Sequence, residues 1–233
     1  SNVNGTIQNI EEIGKICKKH NLLFILDASQ SAGYSYIDME KHNISILCLT
    51  GHKSLFGIQG IGAICLRDSV KIEPILEGGT GSFSKLSRQP KEMPELLEAG
   101  TINTPGVISL GAGIDFINEM GLDKIREHEN RLTKRFIDGL KDIEKIKIYK
   151  SLTEEQGPVV SLNIDGVDSG DLAQILDEDI GIFVRPGFHC APLAHKVIGT
   201  YETGTVRFSF GYFNTDEEIE FALSTLENIA LQI

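Results

Sequence analysis

The apolar positions along this chain fall into two alternating textures. In "TIQNIEEIGKICKKH", Ile10, Ile13, Ile16 and Cys17 recur at helical spacing, which predicts a helix with that face inward. "NLLFILD" is a continuous apolar run ending in Asp27, the pattern of a central parallel strand with a carboxylate at its carboxyl end. "ISILCLT" repeats the design, and "IGAICL" follows after a glycine-rich loop. Helix, short buried strand, short buried strand is the rhythm of an open α/β sheet, where ligands bind outside the carboxyl ends of the strands. Asp27, Thr50 and Lys53 all fall at such ends.

Residues 69–102 read mostly as loop, with "EGGTGSFS" inside them. "TPGVISLGAGIDFINEMG" predicts a long helix, with Pro105 near its start and Gly121 as its stop. A second helix is expected over about 122–140. The texture then changes to "KIKIYK" and "GPVVSLNID", a helix through "SGDLAQILDED", short "IFVRP", a loop, "TGTVRFSFGYFN" and a final helix capped by Thr215. That succession is a small α+β unit. The expected division is residues 1–125 as part of a larger domain and 126–233 as a small one.

Composition narrows the class. A chain of 233 residues with 41% hydrophobic residues can bury a real core. Asp and Glu outnumber Lys and Arg by 33 to 22, a net charge of -11, which argues against a broad nucleic-acid or anionic-membrane surface. No apolar stretch approaches transmembrane length. Cys17, Cys48, Cys65 and Cys190 are widely spaced, without paired metal spacing, as expected of free thiols in a reducing, cytoplasmic compartment. The first three fall on helix or strand runs as packing residues, whereas Cys190 sits in polar "RPGFHCAP". The chain opens on "SNVNG" without a starting methionine and is read as the C-terminal portion of a longer polypeptide.

"TGHKSLFGIQGIGAICL" places Lys53 among glycines between two buried runs. A lysine there must reach solvent, find a carboxylate or act as an amine. Taken singly, Asp27 reads as a cap or loop carboxylate and Lys53 as a surface lysine. Together, a carboxylate that holds a protonated ring nitrogen and an amine that condenses with an aldehyde are the two fixtures a pyridoxal phosphate site needs. Thr50 and His52 could donate to a phosphate, and Gln30 could reach the ring hydroxyl.

These segments, "LLFILDASQSAGY" and "TGHKSLFGIQGIGAICL", resemble the cofactor segments of the class V aminotransferase family, particularly its cysteine desulfurase and selenocysteine lyase branch. "SNVNGTIQNIEEIG", "EAGTINTPGVISLG", "RPGFHCAP" and "GTVRFSFGYFNT" resemble that branch in the same order, so the likeness spans essentially the whole chain. The resemblance implies an α/β fold: the C-terminal part of a fold type I pyridoxal phosphate large domain, mostly parallel sheet with helices, followed by a small α+β domain. It implies that Lys53 carries pyridoxal phosphate through a Schiff base and that Asp27 pairs with the ring nitrogen. Gln30 and Asn2 face the ring oxygen or the substrate carboxylate, and Thr50 and His52 face the phosphate. Thr80, from the partner of a homodimer, completes the phosphate cup. Arg207 and Arg185 bind substrate, and Cys190 takes sulfur from L-cysteine as a persulfide, leaving L-alanine. L-Selenocysteine would follow the same route, and a sulfur-acceptor protein would collect the product.

The family's large domain begins well before "SNV", so the aromatic residue stacked on the ring and a phosphate loop are expected upstream. Two other readings stay open on the sequence. One is another class V aminotransferase or amino-acid lyase in which Cys190 is incidental. The other is a cofactor-free fragment or a partner-binding scaffold for sulfur transfer.

Overall fold

The computed structural model describes residues 1–153 and 155–232, the side chain of Ser82 excepted. It divides into two compact units, Ile10–Leu122 and the pair of segments Ser1–Asn9 with Asp123–Ile233. The opening segment therefore belongs with the C-terminal residues and not with 10–122, where the sequence reading had put it. Its backbone is stitched there: Ser161 Oγ donates to Val3 O at 2.5 Å, Asn4 Nδ2 to Lys150 O at 3.2 Å, and Thr6 bridges Gln156. Among the described residues no helix is long and apolar enough to cross a membrane.

The first unit contains α1 (Ile10–Lys19), β1 (Ile25–Asp27), β2 (Ile46–Thr50), β3 (Gly62–Leu66) and α2 (Thr104–Met120). β1 runs parallel to β2 with Asp27 opposite Cys48, and β3 returns antiparallel to β2. The sheet order is β1-β2-β3. "NLLFILD" is thus not a central strand here: only three residues pair, at the sheet edge, and Leu22, Leu23 and Ile25 are exposed. A strand with one neighbour cannot bury both flanks. On α1, Ile16 is exposed and Gly14 is the buried residue. A Cβ at Gly14 would lie 1.9 Å from His42 O, so the helix meets its neighbour backbone to backbone where only glycine fits. Cys65 on β3 is exposed rather than packed. α2 begins as its sequence predicts, with Asn103 Oδ1 accepting from Gly106 N at 3.1 Å and proline in the first turn.

The second unit holds α3 (Leu122–Leu140), β4 (Ile146–Tyr149), β5 (Val159–Ile164), α4 (Ser169–Gln174, continuing as a wider turn over Ile175–Ile180), β6 (Arg185–Gly187), α5 (Pro192–Ile198), β7 (Thr205–Ser209) and α6 (Asp216–Gln232). Its antiparallel sheet has the order β4-β5-β7-β6. Leu132, Phe136 and Leu140 of α3 share one core with Val160 and Leu162 of β5, Val206 and Phe208 of β7, and Leu226 of α6. The Phe136 ring packs 4.8 Å from Phe208 and 5.1 Å from Phe210. Each such side chain contributes roughly 1.5–3 kcal/mol by leaving water. α6 opens on a reciprocal cap, Glu218 N donating to Thr215 Oγ1 at 3.2 Å and Thr215 N to Glu218 Oε2 at 3.0 Å. α5 falls where the sequence reads as loop, yet "APLAHKVIG" carries its signals: Pro192 in the first turn and Gly199 beyond the end at φ 75°.

One buried group in this core titrates in an unusual range. Glu129 of α3 is buried, and Oε2 has no hydrogen-bond partner among the described residues. Burial pushes its carboxyl from 4.5 up to about 7, against a pull downward from the Tyr212 N–H. The unfolded chain releases this proton near pH 4.5, whereas the folded chain holds it to about pH 7, so this group costs stability as pH rises through that window. The cost levels off above pH 7 at about 3 kcal/mol. Glu129→Gln is expected to gain on the parent chain by about that amount between pH 4.5 and 8, read as the difference in urea unfolding free energy at each pH.

Candidate active site

In the first unit, parallel pairing points the carboxyl ends of β1 and β2 the same way, with Asp27 opposite Cys48 and Thr50 two residues further along β2. The Asp27 carboxylate accepts from Ser29 Oγ at 2.5 Å and Ser29 N at 2.9 Å. Those bonds first, and the charge of Lys53 after them, hold it below the usual carboxylate range. Lys53 is exposed on the loop that follows β2, and no described ion pair involves it. Thr50 Oγ1 lies 3.0 Å from His52 Nδ1. If the hydroxyl donates, the other ring nitrogen keeps its N–H for an anion.

The loop itself is held firmly. Gly57 N donates to Gly51 O at 2.7 Å, Gly51 N to Ile61 O at 2.9 Å and Phe56 N to Lys53 O at 2.9 Å. The Phe56 ring meets Phe116 of α2 edge-on at 5.2 Å. A Cβ at Gly33 would lie 2.0 Å from Ser54 O, and one at Gly113 equally close to Leu55 O. Backbone therefore clasps the two residues after Lys53 from two directions, and glycine is what permits it. Gln30 is exposed in the turn after Asp27. Thr80 is not gathered into this cluster by any described contact; it lies on a separate loop, where its carbonyl accepts from Phe83 N at 3.1 Å.

The second unit gathers Asn2, Arg185, Cys190 and Arg207. β6 and β7 pair with Arg185 directly opposite Arg207. Arg185 Nη2 donates to Cys190 Sγ at 3.1 Å, and Arg207 Nη1 donates to Asn2 O at 2.9 Å. Burial, and then the charge of Arg185, lowers the Arg207 guanidinium from its ordinary value, while a Cys190 thiolate acts the other way. Arg207 Nε is buried without a partner among the described residues, leaving a donor for an anionic ligand.

Cys190 is exposed on the turn Phe188–Ala191, closed by Ala191 N donating to Phe188 O at 2.8 Å. Both central residues have left-handed backbones, His189 at φ 51° and Cys190 at φ 61°. That is the φ pattern of a type I′ turn, which ordinarily calls for Asn and Gly. Placing His and Cys there costs about 1–2 kcal/mol per residue, which the surrounding contacts must offset. Sequence reasoning did not single out His189, although it lies inside "RPGFHC". Its Nε2 bonds Thr205 Oγ1 at 2.8 Å, and its carbonyl accepts from Asn2 Nδ2 at 2.6 Å. Burial first, and then the charges of Arg207, His195 and Arg185, push its imidazole down to about 3. It is therefore neutral at physiological pH.

The sequence model of the family described as aminotransferase class-V matches residues 1–221. A probable cysteine desulfurase of Methanothermobacter thermautotrophicus is 38% identical over 99% of this chain, and one of Pyrococcus abyssi is 39% identical over 98%. The chain spans 58% and 57% of the lengths of those relatives. The apo structure of a cysteine desulfurase from Thermococcus onnurineus superposes with a TM-score of 0.91 at 38% identity, covering all of this chain and 58% of that one. The matched range takes in the Lys53 loop, the Cys190 turn and both opposed arginines; the chain belongs to the class V aminotransferase family.

Proposed function

We propose that this chain carries catalytic residues of a pyridoxal-phosphate-dependent cysteine desulfurase, which turns L-cysteine into L-alanine and passes the sulfur to Cys190 as a persulfide. The observation that carries the reading is the Cys190 thiol on its left-handed turn with a guanidinium N–H 3.1 Å from the sulfur. Relatives named cysteine desulfurase match it along nearly the whole chain.

The donor set around Lys53 fits pyridoxal phosphate: an anionic carboxylate for the ring nitrogen, an amine outside any described ion pair, and a hydroxyl–imidazole pair for the phosphate. When bound, this cofactor supplies an aldehyde that condenses with amines and a ring that withdraws electrons from the substrate α-carbon. Lys53 would be the amine that holds the cofactor, and the same nitrogen, when free, could carry the substrate α-proton. Asp27 would hold the protonated ring nitrogen. Gln30 would bond the ring oxygen, and Thr50 with His52 would bond the phosphate. Thr80 of a second copy would complete that phosphate site, which makes the working form a homodimer; the free thiols at Cys17, Cys48, Cys65 and Cys190 suit a reducing, cytoplasmic compartment.

Arg207 and Asn2 hold the substrate carboxylate, the planar fork of arginine matching its two oxygens. Arg185 orients the Cys190 sulfur, whose thiolate attacks the sulfur of the substrate. An S–S bond forms as the C–S bond breaks, and the electron pair stays with the carbon fragment, which gains a proton to become alanine. Selenocysteine suits the same machinery, with selenium departing more readily. A sulfur-acceptor protein would then unload the persulfide.

Incubation with pyridoxal phosphate and L-cysteine, followed by non-reducing digestion, is expected to show the Cys190 peptide heavier by one sulfur atom and alanine in solution. Keto-acid-dependent amine transfer with Cys190 unmodified would replace this reading with that of an aminotransferase.

A further inference from the structure

The turn that presents Cys190 is held in a backbone conformation its residues do not prefer, and besides its own closing bond two bonds tie His189 to distant segments. His189 Nε2 reaches Thr205 Oγ1 on β7, and His189 O receives Asn2 Nδ2 from the opening segment. The ring is walled in further, 5.3 Å from the His195 ring, which is itself bonded through Nδ1 to Thr200 Oγ1 at 2.7 Å and met edge-on by Phe188 at 5.4 Å. His189, His195, Thr200 and Thr205 are all buried, whereas the next residue, Cys190, is exposed. A buried imidazole immediately before an exposed thiol acts as an anchor: fixing the ring fixes the direction in which the chain emerges at Cys190.

We propose that Thr205 and Asn2 are positioning residues that act through His189, clamping the Phe188–Ala191 turn so that Cys190 Sγ stays against Arg185. The inference rests on the reading of Cys190 as the nucleophile, and it concerns what keeps that nucleophile in place. Each partner has the required chemistry. Thr205 offers a hydroxyl that can bond the neutral imidazole as donor or acceptor, and Asn2 offers an amide N–H to the peptide carbonyl between the two left-handed residues. With either bond gone, the turn can relax toward ordinary right-handed or extended backbone, and the sulfur loses its 3.1 Å contact with Arg185 Nη2.

The test is the rate at which iodoacetamide alkylates Cys190 in the full chain at fixed pH, followed by peptide mass with exposed Cys65 as internal reference. Thr205→Val keeps the shape and removes the hydroxyl, and it is expected to slow Cys190 at least about five-fold relative to Cys65 with the urea midpoint retained. Thr205→Ser is expected to restore the rate. Arg185→Gln should also slow Cys190, and Thr205→Val added to it should slow it no further, since both act on one contact. Should Thr205→Val fold poorly, Asn2→Ala cuts the second bond at a half-buried site and carries the same expectation. An unchanged Cys190 rate in a folded Thr205→Val or Asn2→Ala chain overturns the clamp, as does full additivity with Arg185→Gln. Because alkylation needs neither cofactor nor sulfur transfer, a chain that shows this pattern but never loads sulfur would keep the clamp and lose the desulfurase reading.

Discussion

Replacing Lys53 with alanine abolishes covalent capture of pyridoxal phosphate. In the parent chain, borohydride reduction after cofactor addition is expected to fix the group to the peptide bearing Lys53. In Lys53→Ala no other lysine should take its place. Lys15, for instance, sits 2.9 Å from Glu11 and 2.7 Å from Glu12, and its bonds to them hold its ammonium protonated above the ordinary lysine range. Lys53 has no such described ion pair, and it sits on a loop that is fixed by backbone bonds and by the glycine contacts at Gly33 and Gly113. Turnover of L-cysteine should fall by about 10²–10⁴-fold from the lost proton transfer alone. A labelled peptide elsewhere in the parent chain would move the amine, and with it the whole reading of the Asp27–Lys53 cluster.

The second large effect separates chemistry from binding. Cys190→Ser should leave the borohydride label at Lys53 intact while removing sulfur loading altogether, because a serine hydroxyl at neutral pH is a far weaker nucleophile than a thiolate. Alanine formation from L-cysteine is expected to drop by at least about 10²-fold. Serine in place of Cys17, Cys48 or Cys65 should change neither reading. Alanine formed at an undiminished rate by Cys190→Ser would make the thiol incidental and the protein an amino-acid lyase.

The pH behaviour of the folded chain carries two opposed contributions from one unit. His189, pushed down to about 3 from 6.5, stays neutral while the unfolded chain protonates, so the stability it allows is present above pH 6.5 and is lost as pH falls toward 3. Glu129 works the other way between pH 4.5 and 7. Both follow from burial without an opposite charge to compensate.

Much of this was legible in the sequence, and for definite reasons. α2 and α6 announce themselves through local chemistry: Pro105 near the start of α2, Gly121 at its stop, and Thr215 as the cap of α6. Asp27, Thr50 and Lys53 could be placed at strand ends because a strand's carboxyl end follows directly from where its apolar run stops. The motifs around Lys53 and Cys190 likewise pointed to the family on residues alone. α5 went unread because its seven residues are too few to show an amphipathic stripe, and only its flanking Pro192 and Gly199 mark it.

What the sequence determined by itself was the identity and order of the reactive groups, since these depend on residue type and short spacing. Tertiary structure decided the rest, because it depends on contacts between distant segments. Residues 1–9 join the C-terminal unit through Asn4, Thr6 and Ser161, some 150 residues apart in the chain. "NLLFILD" pairs over three residues at a sheet edge, because strand position depends on which neighbours are present and not on the run itself. The left-handed turn at His189 and Cys190 carries none of the Asn-Gly chemistry that would have announced it. It exists because Thr205 and Asn2, sixteen and 187 positions away from His189, hold it in place.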